Sequence, residues 1–122
     1  GDANIHYLQS YWKLGPEEAL LIEADRIPEK GHWNLQISNF WMESLDYRYH
    51  RIHVNKYTAH YEPDGSVRIV LAHDDPGPAF PNWLETCGHD RGGMLFRWID
   101  SDGDHPPVRT RVVKLSELSA EQ

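Results

Sequence analysis

The clearest pattern in the chain is a strict alternation. In residues 32–43, Trp33, Leu35 and Ile37 fall on one side of an extended backbone and Asn34, Gln36 and Ser38 on the other. A period of two is the mark of a strand with one buried face. Residues 5–14 carry Ile, Tyr and Trp in looser alternation and also read as a strand, closed by Gly15-Pro16. Pro16-Glu17-Glu18 would suit the first turn of a helix, yet the short apolar run Ala19-Leu20-Leu21-Ile22 ends soon before Pro28, so a buried strand is expected. Residues 47–56 fit either a partly exposed strand or an irregular loop, with Ile52 and Val54 sharing a face.

Tyr57 to His73 reads as a hairpin, its arms Thr58–Glu62 and Ser66–His73 joined by Pro63-Asp64-Gly65. Val67, Ile69 and Leu71 alternate with Arg68, Val70 and Ala72, so the second arm is apolar on both faces and belongs in the middle of a sheet. Asp74 to Gly93 holds four Gly and three Pro and reads as one long loop, with Asn82 capping a helical turn over Asn82–Thr86. Met94–Ile99 and Val108–Leu115 are the last strands, separated by a polar turn, and Ser116–Gln122 is a tail or short helix. The sum is an all-β domain over residues 1–122. It is expected to be a β-sandwich or jelly roll of about seven or eight mainly antiparallel strands, with one long loop and at most short helical turns.

Composition supports this picture and removes several functions. The 122 residues fit one domain. Five Trp and six Tyr compensate for a hydrophobic fraction of only 39 %. A net charge of −7 gives no field to attract phosphates, so nucleic acid and anionic membrane are not expected partners. No run of apolar residues is long enough for a spanning helix. The single cysteine, Cys87, rules out an internal disulfide and favours a reducing, cytoplasmic setting. The chain opens on Gly1 rather than Met, as a piece of a longer protein would.

Four groups of residues invite chemistry. The histidines His50 and His53 stand three apart, which on a strand sends them to opposite faces, and no zinc-type spacing exists; no metal and no cofactor is expected. Asp100, Asp102 and Asp104 resemble the opening of a calcium loop, but Arg111 stands where its bidentate acid belongs. The long loop brings His73, Asp74, Asp75 and Glu85 near one another in sequence as acid/base candidates, with Asn82 and Trp83 as ligand-binding candidates. Each also has a plain structural use, in turns, caps or packing. Tyr47-Arg48-Tyr49-His50-Arg51 alternates rings and cations, which makes Arg48 and Arg51 further ligand-binding candidates.

An ordered set of short motifs then resembles one family. Leu45-Asp46-Tyr47-Arg48, Asn55, Glu62-Pro63-Asp64-Gly65-Ser66, Asp75-Pro76-Gly77, Pro81-Asn82-Trp83-Leu84, Gly92 and Arg97-Trp98 are similar to the uncharacterised bacterial family called domain of unknown function 1214. Glu18–Glu23 and Trp33–Gln36 resemble its N-terminal half, so the likeness spans roughly residues 15–115. Ala79-Phe80 widens the step between the Pro-Gly and Pro-Asn-Trp motifs relative to the family pattern. The resemblance implies a β-rich domain at the C-terminus of a longer protein and carries no agreed catalytic residues. The expected role is therefore an accessory or interaction module, partnered by an upstream domain of its parent chain or by a second copy. The alternative is a hydrolase-like or small-ligand site, carbohydrate included, centred on the loop 73–93.

Overall fold

The computed structural model describes residues 5–25, 27, 31–39, 52–99 and 107–121. Arg48, Arg51, His50 and the Asp100–Asp104 motif lie outside them. Eight strands follow in order: β1 (Ile5–Lys13), β2 (Glu18–Ala24), β3 (His32–Asn39), β4 (His53–Asn55), β5 (Val67–Ala72), β6 (Trp83–Glu85), β7 (Arg91–Ile99) and β8 (Val108–Lys114), then a 3-10 helix, Leu115–Glu121. They form two four-stranded sheets, β1-β7-β3-β4 and β6-β5-β2-β8. Every pairing is antiparallel except β5 with β6.

The alternating residues do what their period dictates. Trp33, Leu35 and Ile37 of β3 point inward beside Met94, Phe96 and Trp98 of β7. Leu20, Ile22, Val67, Ile69, Leu71 and Leu84 meet them from the other sheet. Trp33 lies among Phe96, Trp98 and Tyr61, with ring centres 5.5, 6.2 and 6.5 Å away. Each such ring is worth on the order of 2–3 kcal/mol when fully buried. Across β1 and β7, Trp12 lies opposite Gly92 and donates from Nε1 to the Gly93 carbonyl at 3.0 Å. A Cβ on Gly92 would stand 2.2 Å from the Ser38 carbonyl oxygen and 2.7 Å from the Trp12 ring. Glycine is what lets the indole lie flat on β7.

β2 and β5 are apolar on both faces because both faces are covered. Ala19, Leu21, Val70 and Ala72 form a second cluster on the outside of their sheet with Phe80 and Leu118, the latter from the 3-10 helix. The Arg68 guanidinium lies over the Phe80 ring at 5.3 Å and continues that cover.

Three local expectations are corrected. The first hairpin arm, Thr58–Glu62, shrinks to a single bridge between Tyr61 and Val67. Asn55 is the reason: its Oδ1 accepts from the backbone N–H groups of Tyr57 and Thr58 at 2.9 and 3.0 Å, which winds the chain into a turn. The turn residue Gly65 does adopt the positive φ expected of it, 85°. Asn82–Thr86 is not a helical turn, since Trp83–Glu85 forms β6 parallel to β5. The final strand of the loop region begins at Arg91 rather than Met94.

Candidate functional site

The long loop folds against the rest of the sandwich at two places. At the end of β5, His73 Nδ1 and Thr86 Oγ1 are 2.6 Å apart, and His73 Nε2 lies 3.4 Å from the Leu14 carbonyl. The Leu14 carbonyl can only accept, so Nε2 donates to it; in the neutral ring Nδ1 then accepts from the Thr86 hydroxyl. Thr86 is 1 % exposed, which removes its hydroxyl from reach of any substrate. The segment after it turns tightly: the Thr86 carbonyl accepts from His89 N–H at 3.0 Å, with Cys87 and Gly88 at φ values of 54° and 82°. Cys87 is the one non-glycine in the left-handed region among the described residues.

An open cleft of about 650 Å³ lies beside this latch, walled by Lys13, Glu18, His73, Asp74, Gly88 and Asp90 among others. Glu18, His73 and Asp90 among its polar groups already serve the fold. Glu18 Oε1 accepts from Gly15 N–H at 2.7 Å across the β1–β2 turn, and the Asp90 carbonyl accepts from Leu14 N–H at 2.7 Å. The Arg91 side chain, hydrogen-bonded at 3.3 Å, holds the Asp90 carboxyl below its ordinary range, with smaller help from the charge of Lys13. No group of three His, Cys, Asp or Glu side chains among the described residues is arranged to hold a metal.

The sequence candidates separate in space. His73 and Asp74 share the cleft, but Asp75 and Glu85 are not among the residues that line it. Asp75 Oδ1 accepts from Gly77 N–H at 2.8 Å and shapes the Pro-Gly turn. Glu85 lies on the outer side of β6, two residues after Trp83 and on the same face. Trp83 is half-buried against the second cluster and donates from Nε1 to the Ala72 carbonyl at 3.1 Å.

Asn82 is 3 % exposed and its amide is fully engaged. Its Oδ1 accepts from His60 N–H at 2.8 Å, and its Nδ2 donates to the carbonyls of His60 and Arg68 at 2.7 and 2.9 Å. It is a clamp, not a cap. It draws the segment around His60 over the gap between β4 and β6, where Val54 and Leu84 have no exposure. On that side the sandwich is shut.

The opposite side is open. β1 and β8 are the outermost strands of their sheets, and among the described residues each pairs with one neighbour only. Inward-facing side chains there reach solvent: Leu8 of β1 and Val112 of β8 are each 48 % exposed. A slot of about 220 Å³ runs in from Leu8 of β1 and Val108 of β8 to Ile22, Met94 and Phe96, edged by Ser10 and Thr110. Alternation alone did not reveal this mouth. An inward parity does not say whether the facing sheet closes over it.

An all-β module of two packed sheets, shut on one flank and open on the other, is the class this arrangement defines. The chain belongs to the family described as protein of unknown function (DUF1214), whose model matches residues 16–102. Among solved structures it is similar to an uncharacterized protein from Burkholderia cenocepacia, with 46 % identity and a TM-score of 0.88 over 95 % of this chain. It is also similar in fold to the VPA0106 protein from Vibrio parahaemolyticus, with 18 % identity and a TM-score of 0.63 over 91 % of this chain. In both cases the matched region is 31 % of the other chain, so this chain spans about a third of their length. No curated protein matches it.

Proposed function

We propose that this domain is an interaction module that docks the remainder of a longer chain through the open flank between β1 and β8. One observation carries the reading: core-facing Leu8 and Val112 are half exposed at a mouth while the opposite flank is clamped shut by Asn82. Half-burial forgoes on the order of 1 kcal/mol for each such side chain, which a docked surface would recover. Two strand edges that pair no further among the described residues, beside apolar surface, are also an aggregation hazard unless something covers them. The two similar chains, about three times as long, supply polypeptide enough to do so.

The test is hydrogen exchange. This chain is measured alone and after it replaces the matching 31 % of the Burkholderia cenocepacia relative. Amides of β1 and β8 exchange more slowly in the chimera, and those of β4 and β6 are unchanged. Equal exchange at β1 and β8 in both settings overturns the reading.

A further inference from the structure

The motif Glu62-Pro63-Asp64-Gly65-Ser66 builds a turn that is also a chemical weak point. Pro63 and Asp64 form its corner, and the Glu62 carbonyl accepts from Gly65 N–H at 2.9 Å. Gly65 has a φ of 85°, which glycine alone adopts without strain. The turn therefore needs glycine directly after the exposed Asp64. Lacking a side chain, that glycine also leaves its own nitrogen open to the neighbouring carboxyl. In a flexible Asp-Gly step the glycine nitrogen attacks Cγ of the aspartic acid. The N–Cγ bond forms, and the N–H hydrogen leaves with the carboxyl hydroxyl as water, which closes a five-membered imide. Water then reopens the ring. Cleavage of the new bond restores aspartate; cleavage of the original peptide bond leaves a main chain that runs through Cβ and Cγ, longer by a methylene.

In the fold both reacting groups are held. Asp64 Oδ1 accepts from the Ser66 hydroxyl at 2.6 Å and from the Ser66 N–H at 2.9 Å. Gly65 N–H is engaged by the Glu62 carbonyl. Closing the flat imide requires release of these contacts. We propose that Asp64-Gly65 is a site of backbone isomerisation and that Ser66 guards it through its two bonds to the Asp64 carboxylate. The same bonds, the hydroxyl first, hold the carboxyl below its ordinary range, so less of it carries the hydroxyl that must leave. What the guard protects is the entry to β5. Glu62 N–H donates to the Ser66 carbonyl at 2.8 Å, Ile27 N–H donates to the Gly65 carbonyl at 3.0 Å, and Tyr61 bridges Val67. An extra methylene between Asp64 and Gly65 lengthens the loop that sets this pairing. The inference does not depend on the flank between β1 and β8.

The test is the rate at which isoaspartate appears at position 64, read by fragmentation mass spectrometry after ageing at neutral pH. The whole chain is compared with the peptide Tyr-Glu-Pro-Asp-Gly-Ser-Val, residues 61–67, which is too short to fold. The second Asp-Gly step of the chain, Asp102-Gly103, is followed in the same samples. Losing one hydrogen bond to a charged group corresponds to about tenfold in rate. The folded chain is therefore expected to isomerise at Asp64 at least about tenfold more slowly than the peptide, and Ser66→Ala to remove about tenfold of that protection. The same change in the peptide, and the rate at Asp102, should shift by less than about twofold, well short of one lost bond. Ser66→Thr, which keeps the hydroxyl and the N–H, stays slow. Equal rates in chain and peptide overturn the proposal. So does a Ser66→Ala chain that isomerises no faster at Asp64, or one in which Asp102 or the peptide accelerates equally. Should Ser66→Ala fail to fold by circular dichroism, Ser66→Cys takes its place. Its weaker donor gives a rate above that of Ser66→Thr, and equal rates for those two overturn the guard.

Discussion

Asn82 offers the sharpest test of how this fold is held together. Replacing it with alanine removes three hydrogen bonds and leaves the His60 N–H and the carbonyls of His60 and Arg68 without their partner, at a site 3 % exposed. A net bond is worth about 1 kcal/mol, and an unsatisfied buried group costs about 1–3 kcal/mol. Water entering the vacated space offsets part of this, so the expected loss is roughly 3–4 kcal/mol. Against a typical stability of about 5–15 kcal/mol, that is a large fraction. Asn82→Asp discriminates further. It keeps the shape and the acceptor facing His60 N–H, but at neutral pH it turns an oxygen toward two carbonyls. That position disfavours the ionised form and raises the folded-state pKa above the unfolded value of about 3.9. Below that value the charge penalty is absent. It grows as pH rises between the two pKa values and is complete above the folded one. Urea unfolding at pH 3.5 and pH 7 measures both variants. Asn82→Asp is expected to be less stable than Asn82→Ala at pH 7 and to recover relative to it at low pH. A loss below about 1 kcal/mol for Asn82→Ala, or a pH-independent difference between the two, refutes the clamp.

Two further expectations concern other parts of the sandwich. Gly92→Ala places a methyl group 2.2 Å from the Ser38 carbonyl and 2.7 Å from the Trp12 ring. Relief requires moving backbone in two strands, so a loss of about 3 kcal/mol and a changed Trp fluorescence are expected; an unchanged denaturation midpoint counts against the packing described. The Asp64 carboxyl is held below its ordinary value mainly by the Ser66 hydroxyl, at 2.6 Å, and then by the Ser66 N–H. Ser66→Ala raises it, as a carboxyl carbon NMR titration will show. Because the folded pKa is the lowered one, the associated stabilisation is present above the unfolded value of about 3.8 and fades as pH falls through the folded value, so wild type and variant converge in acid.

How much was legible in the sequence depended on the range of the deciding contact. The alternation of Trp33, Leu35 and Ile37 and the two-faced apolarity of β5 are local facts, and both read correctly. The 3-10 helix that covers the outer face of β2 and β5 together with Phe80 is distant in sequence, so only the central place of β5 was visible. Asn82 failed for a chemical reason. An amide has the same donors and acceptors whether it caps a helix or clamps two segments of the chain, and the choice lay with His60, 22 residues away. The loop candidates dispersed similarly, with His73 paired to Thr86 and Asp75 to its own turn. The exposure of Leu8 and Val112 depends on how two sheets meet at their edges, which no single segment encodes.

The register of the outer strands also orders events in time. β1 pairs with β7 from Ile5 opposite Ile99, and β2 pairs with β8 from Ala24 opposite Val108. During synthesis at about 5–20 residues per second, β1 therefore waits several seconds for its only partner among the described strands. β2 can pair early with β5, and β3 with β4. The two strands that frame the mouth are the last to be secured, one because its partner is late and the other because it is itself late. Loop closure over such separations makes their pairing slow even once the whole chain is free. A nascent chain that stalls shortly before β8 is complete would display the slot at its widest, with β2 unpaired along one edge, and chaperones that read exposed strands would meet it there.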